Sequence, residues 1–258
     1  MRYIRYQRRG RATYGLLEGD TVRRIQGDIF AKHSLTDETV GFDRCRLLAP
    51  CQPSKVIGVG RNFKHLFPRP GDVPKYPLLF LKLPTSVIGA HDSILYPSPV
   101  TGSIFEAELA VVIGRRAVDV PEQDAPGYIF GYTCLNDVSS REYRLEGLPD
   151  AGPGGAIVKA CDHFAPMGPC IATDIDPAHV QLRSWLNGEL KQDANTSDLL
   201  FGPAQVVSFV SRFFTLLPGD VITLGTPTGF VIMRAGDTIE CEASGIGRLK
   251  NVVKARPR

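Results

Sequence analysis

The chain has 258 residues, of which 43% are apolar and 22% are charged, a composition typical of a globular protein and not of a disordered or fibrous one. Its 30 basic and 27 acidic residues give a net charge of +3, which excludes a partner bound mainly through charge. Ten of the first 46 residues are Lys or Arg. Because charged faces usually only keep a surface solvated, we expect no nucleic-acid partner.

Membrane and secretory features are missing from the sequence. No stretch approaches the roughly 20 continuous apolar residues of a membrane span, and no apolar segment follows the basic N-terminus as it would in a signal peptide. The six cysteines form no Cys-x-x-Cys pair, and several lie inside apolar segments. We therefore expect free, buried thiols in a reducing cytoplasm, no zinc site and no membrane partner.

Short strand-like pieces alternate over residues 1–50. Residues 14–22 are typical of two strands joined by a turn at Gly19-Asp20. The segment closes at Pro50 and Pro53, and prolines often mark boundaries. The sequence predicts a small β-rich N-terminal domain over 1–50 and a larger domain over 51–258.

Apolar runs bounded by turn residues predict that most later elements are strands. Residues 66–77 hold four prolines, which predicts a loop. The clearest helix covers 203–214, where Pro203 suits the first turn and apolar residues recur at helical spacing; a shorter helix is expected at 122–128. Strands outnumber helices, so we predict a mostly β (α+β) fold. The predicted strands lie at 55–60, 78–81, 106–113, 129–135, 180–186, 220–224 and 237–242.

Two acidic residues begin a strongly apolar strand. Glu106 and Glu108 are two positions apart, so in a strand both side chains point to the same face, about 6.6 Å apart. Paired carboxylates repel each other unless a cation lies between them, and a set of oxygen ligands favours Mg²⁺, Mn²⁺ or Ca²⁺. Taken alone, the pair is more typical of a solvated strand face that bears two acids.

Two further segments place functional residue types at the ends of apolar strands. Asp137 closes one strand and Arg141 follows four residues later; alternatively, Asp137 caps a helix that begins at Val138. Gly225-Thr226-Pro227 forms an open loop whose N–H and hydroxyl groups suit a carboxylate or an oxyanion, or else a plain tight turn. Each segment alone leaves both interpretations open.

A longer ordered series of motifs runs from about residue 55 to residue 254. Its members are Gly58-Val59-Gly60-Arg61-Asn62-Phe63, Pro77-Leu78-Leu79-Phe80-Leu81-Lys82, Glu106-Ala107-Glu108-Leu109, Asn136-Asp137 with Arg141, Lys159-Ala160-Cys161-Asp162, Asn187-Gly188-Glu189-Leu190, Pro218-Gly219-Asp220, Gly225-Thr226-Pro227 and Gly245-Ile246-Gly247. The series resembles the fumarylacetoacetate hydrolase family, in its branch of acylpyruvases, oxaloacetate decarboxylases and 2-hydroxyhepta-2,4-diene-1,7-dioate isomerases. The resemblance implies a mixed β-sandwich roll with a small N-terminal domain, usually as a homodimer.

The resemblance also implies roles for the residues at matching positions. Glu106, Glu108 and Asp137 would bind one divalent cation, Mg²⁺ or else Mn²⁺ or Ca²⁺. Lys159 would be the catalytic lysine, and a metal-rich, partly desolvated site is expected to lower its pKa so that it donates a proton; the alternative is a solvated lysine at a strand end. The substrate would be held by Arg61, Asn62, Arg141, Gly225 and Thr226.

One departure concerns the histidine that activates water in the family. The family carries this histidine four residues after the Asn of its motif, and a glutamate three residues further on. Here the candidate catalytic His65 lies three residues after Asn62, Pro68 stands where the glutamate would, and no acid occurs between His65 and Pro70. Hydrolytic activation of water is therefore in doubt, although His65 can still act alone as a base.

These residues predict a divalent-metal-dependent enzyme that acts on small 2-oxo acids or their enols. An enolate can undergo C–C hydrolysis, decarboxylation or keto–enol isomerisation, and the missing glutamate favours the last two. The alternative is a catalytically weak family member that binds 2-oxo acids without turning them over; retention of Lys159 and Arg141 argues against it. Selection among substrates would reside in the loops at 61–77 and 142–158.

Overall fold

The structure, a computed structural model, describes residues 1–97, 100–143 and 155–256. Its α-helices are α1 (Ala156–Lys159) and α2 (Pro203–Ser211). Short 3₁₀ helices cover Phe42–Arg44, Lys64–Leu66, Pro70–Asp72, Pro84–Ser86, Glu122–Tyr128 and Thr196–Asp198. The strands are β1 (Arg2–Arg8), β2 (Arg11–Glu18), β3 (Thr21–Gly27), β4 (His33–Gly41), β5 (Arg46–Leu47), β6 (Val56–Gly60), β7 (Leu78–Lys82), β8 (Val87–Ile88), β9 (Ser93–Tyr96), β10 (Val100–Ile104), β11 (Ala107–Ile113), β12 (Ile129–Asn136), β13 (Ser139–Tyr143), β14 (Ala165–Ala172), β15 (Gln181–Leu186), β16 (Glu189–Asn195), β17 (Val221–Thr223), β18 (Ile232–Met233), β19 (Thr238–Ala243) and β20 (Gly247–Ala255).

The described strands form three sheets. The largest has 12 strands in the order β4-β3-β2-β1-β14-β12-β11-β17-β6-β7, with β5 paired to β1 and β8 paired to β14. A five-stranded sheet has the order β16-β15-β19-β20-β9, and a three-stranded sheet the order β13-β10-β18. Strands β11, β12 and β14 pack against β15, β19 and β20, so the two larger sheets form layers of a sandwich. This arrangement confirms the predicted mostly β fold of the mixed β-sandwich roll type.

Strand β11 lies at the centre of the largest sheet and helps to build the site. All seven of its residues are buried, because β12 and β17 flank it and the sheet is covered on both faces. Its neighbour β12 runs antiparallel, with Ala107 opposite Asn136. This register brings Glu106, directly before β11, next to Asp137, directly after β12.

The N-terminal strands continue the largest sheet. The predicted turn at Gly19-Asp20 joins β2 to β3, and β1 pairs antiparallel with β14. Tyr3, Ile25 and Ile29 belong to the same apolar cluster as Val112 of β11. Hydrogen bonds and apolar packing therefore cross residue 50, and a separate N-terminal domain stays a prediction.

Several local predictions need correction. Helix α2 ends at Ser211, three residues before the predicted end, because the N–H groups of Arg212 and Phe213 donate to the carbonyls of Phe209 and Val210, three residues back, and tighten the last turn. Residues 122–128 form a 3₁₀ helix instead of an α-helix, with Pro126 inside it. The alternative helix at Val138 is wrong, because the chain enters β13 and pairs with β10.

The cysteines are free thiols, as predicted. All six cysteines are free, and five of them are buried. Among the residues that the structure describes, no helix is long and apolar enough to cross a membrane.

Candidate active site

A cavity of about 420 Å³ is lined by five of the ten predicted site residues. Leu66, Leu78, Leu79 and Phe230 form part of its apolar wall. A second cavity, of about 450 Å³, lies at the N-terminal strands with mainly apolar lining and no comparable group of charges. The charged and polar lining of the first cavity consists of Arg61, Glu106, Arg141, Lys159 and Thr226.

Buried carboxylates and lysines form one cluster at this cavity. Lys159 Nζ donates to Glu106 Oε2 and to Asp137 Oδ2, each at 2.5 Å. Lys82 Nζ donates to Asp137 Oδ1 at 2.5 Å and to the Val138 carbonyl at 3.0 Å. The Asp137 carboxylate therefore lies between two ammonium groups. No role was predicted for Lys82 from the sequence. The available signal was its position two residues after Phe80, which in a strand places both side chains on the same face.

The register of β11 and β12 explains why these side chains meet. The Asp137 N–H donates to the Glu106 carbonyl, and the Glu106 N–H donates to Asn136 Oδ1 at 3.0 Å. Ser139 Oγ donates to Glu106 Oε2 at 2.7 Å. Two strand ends thus hold both carboxylates in place before any ligand arrives.

Glu108 is the third buried carboxylate of the cluster. Its Oε2 accepts a hydrogen bond from the Gly225 N–H at 2.8 Å. Burial and then the negative charges of Asp137 and Glu106 raise the pKa of Glu108 well above its usual range. Three carboxylates face two ammonium groups here, so the cluster has room for further positive charge.

The pKa values of Lys159 and Lys82 shift in opposite directions. Burial lowers the pKa of Lys159, but attraction by Asp137 and Glu106 outweighs burial, so the pKa lies above its usual range. Burial also lowers the pKa of Lys82, and there burial prevails over attraction by Asp137. The protein groups by themselves raise the pKa of Lys159, and the lowering expected of a metal-rich site stays a prediction. Lys159 is also no solvated strand end, because it is buried at the last position of α1.

The chemistry of the donor set fits a divalent cation. The three carboxylates supply only oxygen atoms, which Mg²⁺, Mn²⁺ and Ca²⁺ prefer, and their repulsion calls for positive charge. Across the described ranges, however, no group of three or more acidic, His or Cys side chains is placed to hold a metal ion. The reason is local: the Lys159 ammonium lies between Glu106 and Asp137, while Glu108 is engaged with Gly225.

Gly225 meets Glu108 in a conformation that favours glycine. Its φ is +90°, and an added Cβ would lie 2.9 Å from both Asn62 Cβ and the Val59 carbonyl oxygen. Positive φ and close backbone approach are the two reasons for glycine at such a position. The predicted loop therefore presents an N–H to a carboxylate of the cluster.

Replacing Gly225 by Ala should destabilise the fold more than Gly236→Ala. Gly236 has a similar φ of +102° with nothing within 4 Å of an added Cβ, so it measures the backbone cost alone, about 1–2 kcal/mol. At Gly225 the steric overlap adds about 1–3 kcal/mol. Denaturant unfolding of both variants checks this, and equal losses of unfolding free energy would contradict it.

Thr226 is oriented by its neighbours. Its hydroxyl donates to the Ala107 carbonyl at 3.1 Å and accepts from Gln192 Nε2 at 2.9 Å. Gln192 is buried and also accepts the Ala107 N–H. Sequence reasoning missed Gln192, which is 85 residues from Ala107 and carries no local signal.

Arg61 and Asn62, two of the predicted substrate-binding residues, differ in their position relative to the cavity. Arg61 lines the cavity with φ +54°, and its guanidinium lies 4.9 Å from the Phe67 ring centre. Asn62 is fully buried, and its amide bonds the backbone of Phe201 and Leu224. Substrate contact by Asn62 stays a prediction; its side chain here holds the two segments behind the cavity. The loop at 142–158 lies partly outside the described residues.

His65 does not line the cavity. Its Nδ1 lies 2.6 Å from Asp198 Oδ2, and the Thr228 N–H donates to its Nε2 at 3.3 Å. No acid lies within the residues that follow His65 directly in sequence, and its acidic partner comes from a distant segment. Asp198 is 133 residues further along the chain.

Comparison with known proteins identifies two matching family models and a similar tautomerase. The family model described as fumarylacetoacetate (FAA) hydrolase C-terminal matches residues 55–254, and the model described as Rv2993c-like, N-terminal matches residues 1–50. The chain is 36% identical over 219 residues to an oxaloacetate tautomerase, fahd2, mitochondrial, of Xenopus laevis, covering 80% of this chain and 68% of that protein.

Two solved structures show the same fold. One is 2-hydroxyhepta-2,4-diene-1,7-dioate isomerase from Mycobacterium marinum, with a TM-score of 0.89 and 36% identity over 100% of both chains. The other is maleylpyruvate hydrolase from Sphingobium sp. SYK-6 in complex with manganese(II) ion and pyruvate, with a TM-score of 0.81 and 26% identity over 100% of both chains.

Proposed function

The chain belongs to the fumarylacetoacetate hydrolase family, and from this premise we propose that it is a divalent-metal-dependent enzyme that tautomerises or isomerises small 2-oxo acids through their enols. One observation carries the proposal: a single cavity joins two guanidinium groups to a buried lysine and carboxylate. Stabilising an enolate needs positive charge and a proton donor, and both line this cavity. Relatives of this chain include a tautomerase, an isomerase and a hydrolase.

Arg141 and Arg61 are the groups that would bind the carboxylate of the substrate. Both line the cavity, and a guanidinium matches a carboxylate through two parallel hydrogen bonds. Leu78 and Leu79 form an apolar wall that would contact the carbon side of the ligand. This arrangement favours a short organic acid whose keto group reaches Lys159.

Lys159 is the group that would meet the keto oxygen. Its raised pKa keeps Nζ an ammonium near neutral pH, so it donates hydrogen bonds to an oxygen that gains negative charge. Its Nζ also lies 4.5 Å from the Phe80 ring centre. A divalent cation held by Glu106, Glu108 and Asp137 would supply Lewis-acid stabilisation of the same charge.

The proposal is tested with a panel of substrates. Enolic oxaloacetate, acylpyruvates and dienoic 2-hydroxy acids are incubated with the protein and Mg²⁺ or Mn²⁺, and loss of enol absorbance is compared with cleavage and CO₂ release. We expect tautomerisation or isomerisation to be fastest. Binding of pyruvate without turnover of any compound would instead support the alternative of a catalytically weak binding protein.

Replacing Arg141 by Lys should raise KM by at least about tenfold, because a charged hydrogen bond worth about 1.5–3 kcal/mol is lost. Arg183→Lys is the matched control, because Arg183 is an exposed strand residue that pairs with Asp193 away from the cavity. Steady-state kinetics of both variants check this. Unchanged KM in the Arg141 variant would make Arg141 an ordinary surface residue.

A further inference from the structure

His65 and Asp198 lie beside the cavity and connect two of its borders. Nδ1 of His65 lies 2.6 Å from Asp198 Oδ2, while Nε2 faces the Thr228 N–H at 3.3 Å. Thr228 lies between two residues of the cavity lining, Thr226 and Phe230. We propose that Asp198 and His65 are a positioning pair that holds residues 226–230 at the cavity, and that His65 acts as a hydrogen-bond acceptor for Thr228. This inference rests on the proposed function.

The hydrogen bonds of His65 to Asp198 and Thr228 specify one tautomer of its imidazole ring. A carboxylate only accepts, so His65 donates its Nδ1 proton to Asp198, and a neutral imidazole then has its lone pair on Nε2. A backbone N–H can only donate, and the Thr228 N–H points at Nε2. Both partners therefore require the same tautomer, and Asp198 determines it.

The His65–Asp198 pair contributes by fixing positions and not by adding stability. The side chains of His65 and Asp198 are 36% and 37% exposed, and an ion pair at such a site contributes little stability. Further hydrogen bonds join the two segments that carry His65 and Asp198. Lys64 Nζ donates to the Ser197 carbonyl at 2.9 Å, and the backbone N–H of His65 also reaches Asp198.

The segment held by the pair has its own role in the cavity. Thr226 is fixed by Gln192, which also donates to the Pro227 carbonyl, and the backbone of Gly229 packs against Lys191. Thr228 and Phe230 themselves are exposed. The hydrogen bond to His65 is the contact that ties Thr228 to the opposite border. Losing it should loosen Phe230 and weaken substrate binding.

The competing role for His65 is that of a general base. The Nε2 lone pair that a base needs is engaged by the Thr228 N–H, and the ring does not line the cavity. The two roles differ in their kinetic signatures. A base acts on kcat of a water-dependent step, whereas a positioning pair acts on KM for every substrate.

The test combines kinetics with NMR. His65→Ala and Asp198→Ala should each raise KM by about three- to tenfold, the range of one lost hydrogen bond, with kcat nearly unchanged. His65→Gln should restore KM, because its amide can still accept from Thr228. The ¹⁵N spectrum of His65 should show the Nδ1–H tautomer in the unmodified protein, and hydrogen exchange at the Thr228 amide should accelerate in both alanine variants.

The control is a second pair of the same kind. His179 Nδ1 lies 2.6 Å from Asp176 Oδ2 on an exposed segment away from the cavity, so Asp176→Ala should leave KM and Thr228 exchange unchanged. A large loss of kcat in His65→Gln would overturn the proposal in favour of a base. An Nε2–H tautomer would also overturn it, because a protonated Nε2 cannot accept from the Thr228 N–H. The NMR measurements need no substrate, so they test the pair even if no 2-oxo acid is turned over and the proposed function fails.

Discussion

Replacing Glu108 by Gln should abolish binding of Mg²⁺ or Mn²⁺ and lower kcat/KM at least about a thousandfold, because a Lewis acid contributes several kcal/mol and each tenfold is about 1.4 kcal/mol. Glutamine preserves the shape of the side chain and an oxygen that accepts the Gly225 N–H. Because the variant removes a buried charge that Asp137 and Glu106 repel, its unfolding free energy should not fall.

Glu108 separates binding from folding better than the other two carboxylates do. Glu106 and Asp137 both accept from the Lys159 ammonium, so neutralising either removes one anionic partner from a buried cation, which destabilises proteins. Glu189→Gln is the control, because this carboxylate is 75% exposed. Calorimetric titration that shows unmodified affinity in Glu108→Gln would remove Glu108 from the metal site.

Replacing Lys159 by Met should change activity and metal affinity in opposite directions. The ammonium lies between two of the three candidate ligands, so its removal frees Glu106 and Asp137 for a cation. Affinity should rise about tenfold or more, since each charged hydrogen bond that competes is worth about 1.5–3 kcal/mol. The loss of a donor to the keto oxygen should lower kcat about a hundred- to a thousandfold.

Lys82→Met is the matched comparison for Lys159→Met. Lys82 is also buried and also donates to Asp137, but it does not line the cavity, so its removal should lower stability more than kcat and raise metal affinity less. Calorimetry and steady-state kinetics on both variants check this pattern. A fall in metal affinity in Lys159→Met would mean that the lysine assists the cation instead of competing with it.

Local patterns predicted the strands of the site but not how those strands pair with each other. The two-residue spacing of Glu106 and Glu108 predicts one strand, and the structure places β11 directly after Glu106. That Asp137 joins them depends on the pairing of Ala107 with Asn136, a register that no local signal contains. Only the family resemblance pointed to this set.

The missed residues share a physical cause. Lys82 reaches Asp137 across 55 positions and Asp198 reaches His65 across 133, so neither contact is visible in a window of sequence. The attraction that raises the pKa of Lys159 likewise comes from two carboxylates that are distant in sequence. The homodimer, the cytoplasmic location, a lowered Lys159 pKa in a metal-rich site and a role for His65 as a lone base stay predictions.

The most direct test of the account is proton exchange at C3 of a 2-oxo acid in D₂O. Exchange reports enolate formation whether the reaction ends in tautomerisation, decarboxylation or cleavage. Pyruvate and oxaloacetate are followed by NMR with the protein and Mg²⁺ or Mn²⁺, against the same cation without protein. We predict exchange that is accelerated by the protein and abolished by EDTA and by Glu108→Gln. Rates equal to those of the cation alone, for every acid tested, would contradict the proposal of metal-dependent enolate chemistry.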